Sequence, residues 1–176
     1  MVETTKYNVI KKIGNVEIRK YPSLILASTT NASNDNNAFM IIADYIFGNN
    51  KSSKKISMTS PVITSEKISM TAPVITSKNK NKLKMSFVMP SEYTLKTLPK
   101  PNSSKVKIET LKSRKLAVLR FSGFTPSNKV NKLQNKLISI LKENKVKIKS
   151  APFLMRYNSP WTIPFLRRNE VAVEVN

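Results

Sequence analysis

Hydrophobic and polar positions along this chain alternate with period two in several short stretches and with period 3.6 in two longer ones. Val16 and Ile18 alternate with Glu17 and Arg19, so 7–12 and 15–21 read as two strands about Gly14, the second closed by Pro22. Residues 24–29 make a third strand. Leu83, Met85, Phe87 and Met89 alternate against Lys84 and Ser86, and Pro90 ends that run. Residues 106–109, 115–121, 153–157 and 170–176 are further strands, the last with Val171, Val173 and Val175 on one face. The helical period appears first at Ala38, Ile41, Ile42, Tyr45 and Ile46, flanked by Phe39. Ser33, Asn34 and Asp35 supply capping chemistry and Gly48 a stop, which predicts a helix over 36–47. It appears again at Val130, Leu133, Leu137, Ile140 and Leu141, behind Thr125 as cap and Pro126 in the first turn, with lysines on the polar side.

The order strands, helix, strands, helix, strands, without a dividing linker, predicts one α+β domain over residues 1–176. It would have two similar halves, each a small sheet with one helix laid on it. Between the first helix and the Leu83 strand stands a tandem repeat. Lys55 to Glu66, KISMTSPVITSE, is followed at once by Lys67 to Lys78, KISMTAPVITSK. The period is even, so matching residues keep the same phase in an extended chain. Pro61 and Pro73 bend each copy, and neither is expected to be a central strand throughout. Met58 and Met70 would then offer two polarizable side chains to one region.

Composition changes the picture in two ways. The chain has 31 Lys and Arg against 10 Asp and Glu, a formal charge of +21. That favours anionic partners, but the lysines are spread along the sequence and no nucleic-acid recognition motif accompanies them. Weak electrostatic association with polyanions is expected as background, not as specific nucleic-acid binding. The chain also has no Cys and no His. Cysteine–histidine metal sites, histidine-activated nucleophiles and histidine-ligated iron are thereby excluded within it. No transmembrane segment or signal peptide is evident, so a soluble cytoplasmic protein is expected. Lys55 and Lys67 stand two residues before Ser57 and Ser69, a spacing that puts them on one face of an extended chain, but 31 basic residues make such a coincidence cheap. No pair of carboxylates has spacing that suggests acid–base work, and no enzyme activity is expected.

Six motifs in order resemble the SOUL haem-binding proteins. They are VEIRKYP at 16–22, AFMIIADYIFGNN at 38–50, the two KISMT-x-PV segments, FVMPSEYTLKTLPKP at 87–101, AVLRFSG at 117–123 and RYNSPWTIPFLRRNEVAVEV at 156–175. The resemblance implies a distorted eight-stranded β-barrel of two pseudo-symmetric halves, each a four-stranded sheet carrying one helix. It also implies binding of haem or a related tetrapyrrole in a surface hydrophobic pocket, without catalysis. Some members hold the iron through a histidine and others do not; only the second mode is open here. Met58, Met70, Met40, Tyr45 and lysine side chains remain as candidate iron ligands. On this reading the first helix offers one wall through Phe39, Ile42, Tyr45 and Ile46, whose alternative role is core packing. The loop 159–168 offers a second wall through Trp161, Ile163 and Phe165. Arg167 and Arg168 are suited to propionates, or to an ion pair with Glu170.

Burying on the order of 300 Å² of porphyrin face at about 25 cal/mol per Å² contributes roughly 7 kcal/mol before the costs of association. Packing alone therefore supports micromolar or weaker binding. The fold is similar to that of bacterial effector-binding domains, so a non-haem amphipathic ligand is the alternative. Such domains often meet cationic drugs with a pocket carboxylate, and acidic residues are sparse in this chain.

Overall fold

The computed structural model describes residues 3–30, 32–52, 65–79, 82–159 and 161–176. Its strands are β1 (Glu3–Thr4), β2 (Asn8–Ile13), β3 (Val16–Tyr21), β4 (Leu24–Thr30), β5 (Asn50–Lys51), β6 (Thr71–Ala72), β7 (Val74–Asn79) and β8 (Lys82–Val88). They continue with β9 (Lys100–Pro101), β10 (Lys107–Leu111), β11 (Arg114–Phe121), β12 (Phe153–Arg156) and β13 (Asn169–Val175). The helices are α1 (Asp35–Ile46) and α2 (Ser127–Glu143), and a 3-10 turn spans Pro164–Leu166.

Nine strands form one large curled antiparallel sheet in the order β10-β4-β8-β7-β12-β13-β11-β3-β2. The two expected halves lie side by side in it. One is β10-β4-β8-β7 with α1 packed on β4 and β8; the other is β12-β13-β11-β3 with α2 packed on β13 and β11. β2 adds a ninth strand by forming a hairpin with β3. Gly14, at φ +54°, supplies the left-handed turn between them.

The halves exchange their first strands. β3 is followed directly by β4, yet it pairs with β11 in the other half; β10 is followed directly by β11, yet it pairs with β4. Each crossover is two residues long, Pro22–Ser23 and Lys112–Ser113. The two serines tie the exchange reciprocally. The Ser23 hydroxyl donates to the Leu111 carbonyl at 3.0 Å, and the Ser113 hydroxyl to the Tyr21 carbonyl at 2.8 Å. The seam between halves is closed by β7 and β12, with Ile75 opposite Met155.

Each helix covers one face of its half. The Leu83, Met85, Phe87, Met89 alternation points at α1, where Ala38, Ile42, Tyr45 and Ile46 complete a buried cluster with Ala27. Val16, Ile18, Ala117, Leu119, Leu154, Val171 and Val173 meet Val130, Leu137 and Leu141 of α2. Alternation turns the intervening residues to the opposite face, where Tyr21, Leu116, Val118, Phe153, Met155 and Ala172 form a third cluster.

α1 begins as its sequence predicts: the Asn34 side chain accepts a hydrogen bond from the Asn37 amide at 2.8 Å. α2 differs. Pro126 holds the cap position and Thr125 makes no cap bond, because its hydroxyl accepts from the Arg156 guanidinium at 3.3 Å. The connector at 98–102 also gains structure, since β9 pairs with β5 in a small antiparallel sheet. The second repeat copy splits at Pro73, as expected, into β6, which lies beside β1, and β7. β7 is a central strand of the large sheet, so only the part of this copy after the proline is central, the proline preceding its ladder instead of interrupting it. Most of the first copy, Met58 included, lies outside the described residues.

Candidate functional site

The site grows from the seam. Arg156 ends β12 beside the start of α1, and its guanidinium donates to the Asp35 carboxylate at 2.8 Å and to the Thr76 hydroxyl at 3.1 Å. This ion pair joins the two halves and separates two cavities. On one side a cavity of about 330 Å³ is lined by Asn36 and Phe39 of α1, Val74, Met85, and Asn158, Ser159 and Arg167 of the loop after β12. On the other a cavity of about 420 Å³ is lined chiefly by polar groups, among them Ser127, Asn131 and Gln134 of α2.

The smaller cavity lies between the two stretches anticipated from sequence, but of the residues named there only Phe39 and Arg167 line it. Phe39 is half-buried and its ring lies 5.3 Å from that of Phe87, so one edge packs on the core and the rest meets the cavity. Arg167 reaches it from the loop. Its Nε donates to the Thr162 carbonyl at 2.7 Å and its guanidinium lies 5.0 Å from the centre of the Phe124 ring.

The remaining anticipated residues divide. Ile42, Tyr45 and Ile46 are wholly buried in the cluster under α1. The Tyr45 hydroxyl donates to the Pro99 carbonyl at 2.7 Å, and burial, then nearby Tyr93, raises its pKa. Met70 is half-buried against the same cluster, and Met40 is exposed on α1. Trp161, Ile163 and Phe165 are exposed on the loop and line none of the cavities described above. Arg168 turns to the face away from α2. There it bonds the Glu170 carboxylate at 2.8 Å and the Tyr7 hydroxyl at 3.1 Å, and stacks 4.0 Å over the Tyr157 ring.

The Arg168–Glu170 pair is the alternative the sequence offered for that arginine; what sequence reasoning missed is that Glu170 is the buried centre of a larger network. Glu170 is wholly buried. It accepts from Arg19 at 2.9 Å, from Arg168 and from the Tyr157 hydroxyl at 2.8 Å. Burial opposes the charge on Arg19, but the Tyr21 hydroxyl and Glu170 outweigh it and raise its pKa. Burial, then the nearby Glu170 charge, raises the Tyr157 pKa. The alternating Glu170 and Glu174 of the last strand signal a polar face; nothing in sequence says that one of them is dry.

A third cavity, of about 860 Å³, lies where β4 begins and β8 ends. Ile25, Met89, Tyr93 and Leu95 line it, with Glu3, Lys6 and Lys96 as its charges. Among the described residues no cluster of His, Cys, Asp and Glu could hold a metal ion, and no helix is long and apolar enough to cross a membrane.

The SOUL heme-binding protein family model matches residues 2–174. Heme-binding protein 2 of Homo sapiens is 32% identical over 162 residues, covering 89% of this chain and 75% of that protein. Among solved structures, the C-terminal domain of EcmrR aligns with a TM-score of 0.60 at 12% identity, over 97% of this chain and 98% of that one. A hydrolase from Listeria innocua aligns with a TM-score of 0.57 at 9% identity, over 92% of each chain. At those identities the likeness is one of fold.

Proposed function

The chain belongs to the SOUL heme-binding protein family, and from that premise we propose that it holds haem or a related tetrapyrrole, without catalysis, between α1 and the 158–168 loop. The observation that carries this is the shared cavity: Phe39 and Arg167, from distant parts of the chain, line the same space over a floor of Val74 and Met85. The residues suit a porphyrin. An apolar floor takes a macrocycle face, and a planar guanidinium at the rim suits a propionate. Arg156 and Arg167 both bring a guanidinium to this cavity, and Arg167 does so from the loop wall, held through its Nε at the Thr162 carbonyl. At about 330 Å³ the cavity is at the small end of ligand clefts, so the macrocycle enters edge-first and part of it stays in solvent. With no imidazole in the chain, affinity rests on packing and propionate pairing. Such an exposed, modest site suits a carrier, buffer or sensor.

The test is a titration of the protein with haemin. A saturable Soret shift at one-to-one stoichiometry is expected, and iron-free protoporphyrin should bind within about tenfold of haemin, since iron ligation contributes little to this site. Non-saturating background binding contradicts the reading.

The 860 Å³ cavity favours a second reading, a non-haem amphipathic ligand seated at Met89, Tyr93 and Leu95. A cationic drug has little to meet on the face away from α2, because Arg19 and Arg168 already engage Glu170. A thermal-shift comparison of haemin, protoporphyrin and cationic dyes separates the readings.

A further inference from the structure

The 161–166 segment exposes large apolar side chains that the proposed cavity does not use. Trp161 is 93% exposed, Phe165 72%, Leu166 62% and Ile163 53%. Phe124, also exposed, joins them across the gap between segments: the Gly123 amide donates to the Pro164 carbonyl at 2.9 Å, and Arg167 lies over the Phe124 ring. Water gives such side chains no reason to stand together at a surface.

Their base is rigid. The Thr162 amide donates to the Ser159 carbonyl, the Leu166 amide to Ile163 and the Arg167 amide to Pro164, at 2.9 to 3.1 Å. The Arg168 amide is held by the Asn158 side chain at 2.7 Å. Bonds made within the turn lower the cost of bringing its backbone into an apolar medium. Cations stand behind it. Arg167 is at the root of the turn, and the Lys129 ammonium is held at the Ser122 carbonyl beside Gly123. The whole chain carries +21.

We propose that this tip is a membrane-docking element that seats Trp161, Phe165 and Leu166 in the headgroup region of an anionic lipid bilayer, with the basic surface held against the lipid charge. The mixture of side chains favours this occupant. Indole and phenyl rings suit the interface, aliphatic Ile163 and Leu166 suit the acyl boundary, and neither aliphatic group would stack on a nucleobase. The inference is independent of tetrapyrrole binding.

Trp161 is the only tryptophan of the chain, so its emission reports on the tip alone. Haem-free protein would be mixed with phosphatidylcholine vesicles, with and without phosphatidylserine, and with single-stranded RNA as a polyanion control. The expected result is co-sedimentation with the phosphatidylserine vesicles, a blue shift of the Trp161 emission and quenching by brominated acyl chains. The variant F165S/L166S, altered only at exposed positions, should keep its fold by circular dichroism and partition about tenfold less. Three results overturn the proposal: no vesicle binding, vesicle binding with unshifted Trp161 emission, or equal partitioning of the variant. Binding to RNA without binding to vesicles overturns it as well.

Discussion

In the first half of the sheet, α1 buries Ala38, Ile42, Tyr45 and Ile46 and leaves Phe39 half-covered at an apolar cavity. In the second, α2 buries Val130, Leu137 and Leu141 and presents Asn131 and Gln134 to a polar one. The faces away from the helices differ in the opposite sense. The first half carries the Lys84–Glu109 pair there, at 2.6 Å and over a third exposed on both sides. The second carries Arg19, Glu170 and Arg168, with Glu170 fully dry. One plan, used twice, has thus left an aromatic side chain open to a cavity in one half and buried a carboxylate among arginines in the other. The division follows from single positions: Phe39 on α1 against the polar groups of α2, and Glu170 on β13 against Glu109 at the sheet edge.

The contrast breaks most visibly at the charges. Glu170→Ala takes the buried carboxylate from both Arg19 and Arg168, leaving Arg19 only the Glu17 carboxylate at 2.8 Å, and should cost about 3 kcal/mol. Glu109→Ala opens a solvated pair and should cost under about 1 kcal/mol. Urea unfolding of the two variants measures both, and equal losses would mean that the halves are not electrostatically different.

A smaller effect is expected at the cavities. Phe39→Ala or Arg167→Ala should each weaken haemin binding about tenfold, some 1.4 kcal/mol, and Gln134→Ala should leave it unchanged. A spectroscopic titration of the three variants decides which side of the Arg156–Asp35 pair the ligand uses.

Thr29 offers a gain of stability. It is buried on β4 opposite Met85, and among the described residues its hydroxyl finds no hydrogen-bond partner. Thr29→Val keeps the shape and removes the stranded group, so about 1 kcal/mol of added stability is expected in thermal unfolding.

The smallest effect asks whether both halves are equally dry. Burial, then the Glu66 carboxylate its hydroxyl bonds, pushes Tyr93 up to about 12. Burial likewise raises Tyr45 in the first half and Tyr21 and Tyr157 in the second. A raised pKa favours the neutral phenol in the folded state. The stability it brings is therefore whole below the ordinary phenol value of about 10 and is lost as pH climbs toward 12. Tyrosinate absorbance should rise mainly above pH ~10 and together with loss of circular dichroism; full ionisation of a folded protein by that pH contradicts the burial described.

Much of the fold was legible. The period-two runs became β3, β4, β8, β11, β12 and β13, because each half-buries a face on a helix and alternation records which one. Both helices lie where their apolar stripes put them, and α1 uses the cap its sequence offers while α2 does not. The strand exchange was not legible, since short connections predict adjacent pairing and nothing local shows that Pro22–Ser23 and Lys112–Ser113 carry the chain across the sheet. The site was legible only as two stretches. A helical stripe cannot tell Phe39 at a rim from Ile42 beneath it, because the difference depends on where the sheet ends. Val74, Met85 and Arg156 join the cavity through pairings between strands far apart in sequence. Glu170 looked like one of two alternating acids, and its burial depends on Arg19 arriving from the exchanged strand.

The most direct test of the central claim is a structure of the protein crystallised with haemin. The account predicts a porphyrin against Phe39 and Val74 with a propionate at Arg167. A porphyrin seated instead against Met89, Tyr93 and Leu95, or on the polar side of the Arg156–Asp35 pair, would contradict it.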